Sequence, residues 1–196
     1  MKQLIICAVA LFTTTQGFSQ EFGNHVKTAR SSYQAGKLED AHFALQQALQ
    51  ELDIAIGKEV LKLFPQKMDT MAANVSADNI SANVGFVGAT VNRNYGTGGT
   101  TVLNVISNSP MVAMLNSFLS SPMLAGMSDP NTKMVKIQGY KARLEKTDGG
   151  EGRFNYELQV PLGSALISFK VEGSDEKQVL QMANTIPLAQ IAKLIQ

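Results

Sequence analysis

The most constraining feature of this chain is the strict alternation of apolar and polar side chains in its C-terminal half. The clearest run covers 154–160, where Phe, Tyr, Leu and Val alternate with Asn, Glu and Gln. A second run covers 165–171, after the connector Pro161-Leu162-Gly163. Because successive side chains of a strand point to opposite faces of a sheet, each run predicts a strand with one buried face. The short connector predicts that the two strands form an antiparallel hairpin.

Three further strands are predicted upstream from similar patterns, at 84–95, 100–107 and 134–146. The first two are joined by Gly96-Thr97-Gly98-Gly99, and the third ends at Thr147-Asp148-Gly149-Gly150. A glycine-rich loop can also bind phosphate, but such a loop leads directly into the N-terminus of a helix. Because strand-like residues follow the glycines here, we expect a hairpin turn.

Capping patterns predict helices between and after these strands. Ser109-Pro110 and Ser121-Pro122 each place an N-cap residue before a Pro at the first helical position. Asp175 followed by Gln178 resembles a capping box, and Thr185-Ile186-Pro187 opens the last helix. The predicted fold class is therefore α+β, with a mostly antiparallel sheet that helices pack on one face.

The region before the sheet has the apolar period of helices. Two amphipathic stripes within 20–65 are separated by Ala35-Gly36-Lys37, and glycine readily adopts the left-handed conformation that ends a helix. Pro65 ends the second stripe. We therefore predict an antiparallel helical hairpin at 20–65, a linker at 66–83 that is rich in turn-forming residues, and a sheet domain at 84–196.

Within the hairpin, residues 29–49 resemble a single tetratricopeptide-type repeat. Ala29 matches the small residue of its first helix, while Leu45 and Ala48 match the large and small packing residues of its second. The early Trp and Leu of that repeat are absent, and Asp53 stands where its closing Pro is expected. Such repeats bury their apolar faces by stacking, so the resemblance implies packing on the rest of the chain or on a protein partner.

The first nineteen residues have the order of a secretory signal peptide. A positive start is followed by an apolar run at 4–12 and by small residues that end at Ser19, the predicted cleavage point, with a cut after Gly17 as the alternative. The apolar run is too short to cross a bilayer, and no later stretch predicts a transmembrane helix. The element order of 84–196 also resembles small periplasmic α+β domains of the PsbP and DcrB type. Both features predict a periplasmic or secreted protein.

Cleavage at that point removes one Lys and Cys7, which leaves 16 basic residues (17 less one) against 16 acidic ones. Without cysteine, thiol catalysis and thiolate metal sites are excluded, and the neutral balance argues against nucleic-acid binding. His25 and His42 both lie in the predicted hairpin, where Glu21 and Glu39 leave a metal site as a minor alternative. With no nucleophile or acid–base pair in view, we expect neither catalysis nor a cofactor.

Five basic residues lie in or beside the predicted strand 134–146, diluted by nearby acidic residues. This pattern favours a solvated outer face or a protected sheet edge, and a face that binds an anionic ligand is the alternative. The five are Lys133, Lys136, Lys141, Arg143 and Lys146.

Methionine is concentrated in one segment, with five Met between positions 111 and 134. Because Met is flexible and polarizable, it suits core packing, adaptable binding surfaces and Cu(I) coordination, and all three interpretations stay open. The predicted ligand or partner surface comprises Met111, Met114, Phe118, Met123 and Met127.

These observations predict an exported, non-catalytic binding or assembly module that uses the helical hairpin and the Met-rich helices as contact surfaces. One alternative is an apolar-ligand or lipid-binding protein with a pocket between the sheet and that surface. A Cu(I)-handling protein that uses the same Met residues is the other.

Overall fold

The computed structural model describes residues 16–82, 88–120 and 130–195, with side chains from Gln20 onward. These residues form an N-terminal helix pair, a seven-stranded antiparallel sheet and further helices that pack on the sheet. The predicted α+β class is confirmed. The chain divides into two compact units between Ala48 and Leu49, called here the N-terminal unit and the sheet unit.

In the N-terminal unit, α1 (Gln16–Gln34) is followed by the start of α2 (Leu38–Leu63). Gly36 lies between them with a φ of 74°, and the Lys37 amide donates to the Ser32 carbonyl at 2.9 Å. This geometry is the predicted glycine-terminated helix end. The described part of the unit buries only alanine side chains, which are Ala29, Ala41, Ala44 and Ala48.

The second half of α2 belongs to the sheet unit and lies close against the sheet. A Cβ atom added to Gly57 would be 2.8 Å from the Ile80 Cγ2 atom and 3.2 Å from the Val91 Cγ2 atom. A residue without a side chain is therefore required at this crossing. The helix ends just before Pro65, as predicted, and Val60 is buried in the core.

The strands are β1 (Lys67–Met68), β2 (Met71–Ala72), β3 (Asn79–Ala82), β4 (Ala89–Tyr95), β5 (Thr101–Ile106), β6 (Thr132–Ile137), β7 (Tyr140–Gly150), β8 (Arg153–Leu162) and β9 (Ala165–Ser174). The sheet is antiparallel throughout, in the order β3-β4-β5-β9-β8-β7-β6, and β1 and β2 form a separate two-stranded ribbon.

The segment 66–83, predicted as a linker, contains three of these strands. Its last strand, β3, forms one edge of the sheet and pairs Ile80 with Val91. A four-residue strand is too short to show a clear alternation of apolar and polar side chains, so the sequence pattern did not predict it. Its place in the sheet is defined by its pairing with β4. The β4–β5 turn lies at Gly96-Thr97-Gly98-Gly99, as predicted, and residues 84–87 of the predicted strand lie outside the described residues.

The single strand predicted at 134–146 is two strands, β6 and β7, and that prediction was wrong. Gln138 and Gly139 join them with φ values of 50° and 88°, the left-handed geometry of a two-residue hairpin. Gln is uncommon in such turns, so the residue type gave no signal. The next turn lies at Glu151 and Gly152, also with positive φ, because β7 continues through the glycines at 149–150.

Three further helices are described: α3 (Met111–Ser120) lies between β5 and β6, and α4 (Glu176–Ala183) and α5 (Leu188–Ile195) follow β9. The predicted N-cap of α4 is confirmed, since Asp175 Oδ1 accepts from the Gln178 amide at 2.9 Å. The Gln178 side chain does not complete a capping box; its Nε2 atom donates to Asp69 at 2.9 Å. The helix predicted after Ser121-Pro122 lies outside the described residues.

One face of the sheet carries the main core, packed by α2, α4 and α5. Because side chains alternate along each strand, the residues next to the core residues in sequence point to the opposite face of the sheet. Helix α3 packs on that opposite face, in a separate hydrophobic cluster. The core residues of the sheet include Val91, Leu103, Leu158, Ile167 and Phe169, and those of the helices include Val60, Phe64, Val179, Met182, Leu188 and Ile191.

Candidate ligand-binding cavity

Helix α3 makes a small hydrophobic cluster of its own, separate from the main core. Val112, Leu115 and Leu119 pack with Leu166, a β9 residue whose neighbour Ile167 faces the main core. The Lys141 Nζ atom donates to the Leu119 carbonyl at 3.2 Å. A cation at the C-terminal end of a helix interacts favourably with its dipole, so this contact holds the end of α3 against β7.

A cavity of about 360 Å³ lies between α3 and the sheet. This volume is within the range of small-molecule sites, which is about 300–1,000 Å³. The helix contributes Met111, Met114, Leu115 and Phe118, and the sheet contributes Thr132, Arg143, Gln159 and Leu166. The lining is therefore apolar on the helix side and partly polar on the sheet side.

Three of the five residues predicted from sequence as a ligand or partner surface line this cavity. Met111 and Met114 are 43% and 67% exposed, and Phe118 is partly buried beside the α3 cluster. Met123 and Met127 lie outside the described residues. Exposed apolar side chains that border a concave apolar surface make these residues a candidate contact surface for a ligand or partner.

Sequence reasoning named Arg143 only as one of five basic residues that could form an anion-binding face, and it missed Gln159 as a lining residue. Arg143 on β7 and Gln159 on β8 are direct partners in the strand register, and the Arg143 Nη1 atom donates to Gln159 Oε1 at 3.2 Å. The Arg143 Nη2 atom lies 2.8 Å from Glu145 Oε2, and its guanidinium carbon lies 6.0 Å from the centre of the Phe118 ring. The sequence signal was only the alternation that places Arg143 and Gln159 on the same face as each other.

Glu157 fixes the orientation of the Gln159 amide. Its Oε1 atom accepts from Gln159 Nε2 and from the Ser168 hydroxyl, each at 3.0 Å, while its Oε2 atom lies 3.4 Å from Lys170 Nζ. Burial raises the pKa of Glu157, but the hydrogen bonds from Gln159 and Ser168 and the charge of Lys170 outweigh burial and lower it. The carboxylate stays ionised near neutral pH, so it holds the amide nitrogen and turns Gln159 Oε1 toward Arg143.

The basic residues predicted for an outer face or sheet edge take different places. Lys133 and Lys136 lie on the edge strand β6, with Lys133 Nζ 2.5 Å from Glu176 Oε2. Lys146 lies over the Phe154 ring at 3.4 Å. Among the five, Arg143 is the one that lines the cavity.

No group of three or more His, Cys, Asp or Glu side chains is placed to hold a metal ion within the described residues. The copper hypothesis depends on Met123 and Met127 as well as Met111 and Met114, and the first two lie outside those residues. The same described ranges contain no helix that is both long and apolar enough to cross a membrane.

Comparisons of this chain with protein-family models, with curated proteins and with solved structures gave no significant match. The resemblances to a tetratricopeptide-type hairpin and to small periplasmic domains therefore stay predictions.

Proposed function

We propose that this protein binds a small molecule with an apolar body in the cavity between α3 and the sheet, without transforming it. The observation that carries the proposal is the pairing of exposed Met111 and Met114 with a concave, mostly apolar surface of suitable volume. Covering such side chains removes apolar area from water, at a gain of about 25 cal/mol per Å². Met also adapts its shape to irregular ligands.

Binding of an uncharged fluorescent naphthylamine tests this function, since the probe brightens when it leaves water. We expect saturable binding to the full-length protein and competition by apolar molecules. Met114→Glu places a charge against the ligand and is expected to weaken probe binding about tenfold, equivalent to about 1.4 kcal/mol.

The matched control is Leu194→Glu, which adds the same charge to an exposed apolar position on α5, outside the cavity lining. This variant is expected to bind the probe like the wild type. Equal weakening by both variants, or no saturable binding by the wild type, would contradict the proposal.

A second candidate function is self-assembly of two copies through the N-terminal unit. From Gln20 onward, where side chains are described, its helices bury alanines, while six large apolar side chains stay exposed. On α2, Leu38 and Leu45 are seven residues apart and share a face, a spacing with which helices pack against one another. A second copy offers the same spacing, so the surface is self-complementary. The six side chains are Phe22, Val26, Tyr33, Leu38, Phe43 and Leu45.

Light scattering at increasing protein concentration tests the assembly function. The wild type is expected to reach the mass of a dimer, and the double variant Leu38→Glu with Leu45→Glu is expected to stay monomeric. Val75→Glu, an exposed apolar position in the sheet unit, is the control and should dimerise normally. A wild type that stays monomeric throughout the concentration range would reject this candidate.

The site of action is proposed to be outside the cytoplasm. This proposal rests on the signal-like order of the first nineteen residues, and sequencing the N-terminus of the exported protein tests it.

A further inference from the structure

We infer that the ligand of the α3 cavity is an amphipathic carboxylate, with its apolar chain against α3 and its carboxylate on Arg143. This inference rests on the proposed ligand-binding function and specifies the chemistry of the ligand.

Arg143 alone carries a charge among the described residues that line the cavity. Its guanidinium has five N–H donors in a planar fork. Within the described residues, the hydrogen bond and the ion pair of this guanidinium are to Gln159 and Glu145, through one nitrogen each. Because that fork matches the two oxygens of a carboxylate, Arg143 is suited to bind a carboxylate at the polar side of a mostly apolar cavity.

The present partner of Arg143 can be displaced at little cost. The side chains of Arg143 and Glu145 are 27% and 36% exposed, so their ion pair is partly solvated. Such pairs contribute little to stability, and Glu145 regains water when it moves away. A ligand carboxylate, whose chain is also held by α3, can therefore compete with Glu145 for the guanidinium.

The surroundings favour an anion over a cation. Lys141, two residues before Arg143 on the same face of β7, has its Nζ atom at the Leu119 carbonyl and adds positive charge near the end of α3. Glu157, the carboxylate that orients the Gln159 amide, already accepts hydrogen bonds from Gln159 and Ser168 and lies beside Lys170. Among the described residues, the carboxylate that lies beside Arg143 is that of Glu145, which is already paired with it. A ligand ammonium group would therefore have to compete with Arg143 for that carboxylate while it is repelled by the guanidinium.

The preferred head group is tested with three ligands of equal chain length: dodecanoate, dodecanol and dodecylamine. Each is used as a monomer, and its affinity is measured by displacement of the uncharged naphthylamine probe. The wild type is expected to bind dodecanoate about tenfold more tightly than dodecanol, the size of one charge-assisted hydrogen bond. Dodecylamine is expected to bind more weakly than dodecanol.

Arg143→Gln is expected to weaken the binding of dodecanoate about tenfold and to leave the binding of dodecanol unchanged. Lys146→Gln removes the same charge from the other face of the same strand and is expected to change the affinity for neither ligand. Glu145→Gln removes the competing carboxylate and is expected to strengthen dodecanoate binding only. This last variant keeps the test decisive if Arg143→Gln fails to fold.

The outcomes distinguish a failure of the carboxylate inference from a failure of the proposed ligand-binding function. Equal affinity of the wild type for the acid and the alcohol, or equal weakening of both by Arg143→Gln, would overturn the carboxylate inference and leave the cavity as an apolar site. Preference for dodecylamine would overturn it as well. No binding of the probe or of any of the three ligands would remove the proposed function itself.

Discussion

Arg93 on β4 and Asp78, which directly precedes β3, form a buried bidentate ion pair, with Arg93 Nε donating to Asp78 Oδ1 at 2.8 Å and Nη2 to Oδ2 at 2.5 Å. The remaining Nη1 atom donates to the Phe64 carbonyl at 3.1 Å, at the C-terminal end of α2. The hydrogen bond to Asp78 raises the pKa of Arg93 against the opposing effect of burial, so the guanidinium stays charged. One side chain thus ties the end of α2 to the edge of the sheet.

Removing one partner of this pair is expected to destabilise the sheet unit strongly. Arg93→Leu leaves Asp78 buried without its partner, which should lower the free energy of unfolding by about 3–5 kcal/mol in urea titration. The double variant Arg93→Leu with Asp78→Leu is expected to lose less than the sum of the two single variants. As a control, Lys62→Ala breaks an exposed pair with Glu59 and should change stability by under about 1 kcal/mol. Additive single effects at Arg93 and Asp78 would show that the pair is not coupled.

Tyr95 should make the protein sensitive to alkaline pH. Burial raises the pKa of Tyr95, Arg93 opposes this effect only in part, and the hydroxyl donates to the Pro65 carbonyl at 2.9 Å. Because the folded-state pKa lies above the unfolded value of about 10, the stabilisation is complete below about pH 10 and is lost as the pH rises beyond it. Urea titrations at a series of pH values should therefore show a decline in stability that begins near pH 10.

Tyr95→Phe isolates this group from the other tyrosines. The variant is expected to be less stable near neutral pH by about 1 kcal/mol, for the lost hydrogen bond, and to decline less steeply above pH 10. Tyr156→Phe is the comparison, since burial also raises the pKa of Tyr156. An alkaline decline that is as steep in Tyr95→Phe as in the wild type would assign the effect to other groups.

Two glycines within helices should respond in opposite directions to the same substitution. Gly57→Ala places a Cβ 2.8 Å from Ile80 and is expected to cost about 1–3 kcal/mol, despite the better helix propensity of Ala. Gly23→Ala on α1 meets nothing within 4 Å and is expected to stabilise the helix by up to about 1 kcal/mol. Thermal unfolding followed by circular dichroism measures both. A stabilising Gly57→Ala would mean that α2 can move away from the sheet without cost.

The N-terminus of the mature protein is expected to be Gln20. When the full chain is expressed in a bacterium, mass spectrometry of the exported fraction should show a protein that lacks the first nineteen residues and Cys7 with them. Lys residues placed within the apolar run at 4–12 should block this processing, because the run must be apolar to be recognised. Recovery of the intact chain with Met1 from the cytoplasm would reject export.

The carboxylate inference and the stability predictions concern opposite faces of the sheet. Arg93 and Tyr95 face the main core, whereas Arg143 faces the α3 cavity. Variants of Arg93 and Tyr95 should change unfolding without changing ligand preference, whereas variants of Arg143 and Glu145 should change ligand preference.

Local pattern alone determined most of the secondary structure of this protein. The alternation at 154–160 and 165–171 predicted β8 and β9, Gly36 predicted the break between α1 and α2, and Asp175 predicted the start of α4. In each case the signal lies in residues that are neighbours along the chain, because side-chain alternation, left-handed glycine and N-cap hydrogen bonds are local effects. The concentration of methionine after Ser109-Pro110 indicated Met111 and Met114 as candidate surface residues, together with Phe118 on the same predicted helix.

Only the tertiary structure determined which side chains from distant segments are in contact. Arg143 and Gln159 are sixteen residues apart and become neighbours through the register of β7 and β8, which also places them beneath α3. The edge strand β3 has too few residues to show a period and exists through its pairing with β4. These features depend on contacts between segments that are distant in sequence, and the periodicity of any one segment carries no information about the partner that it will face.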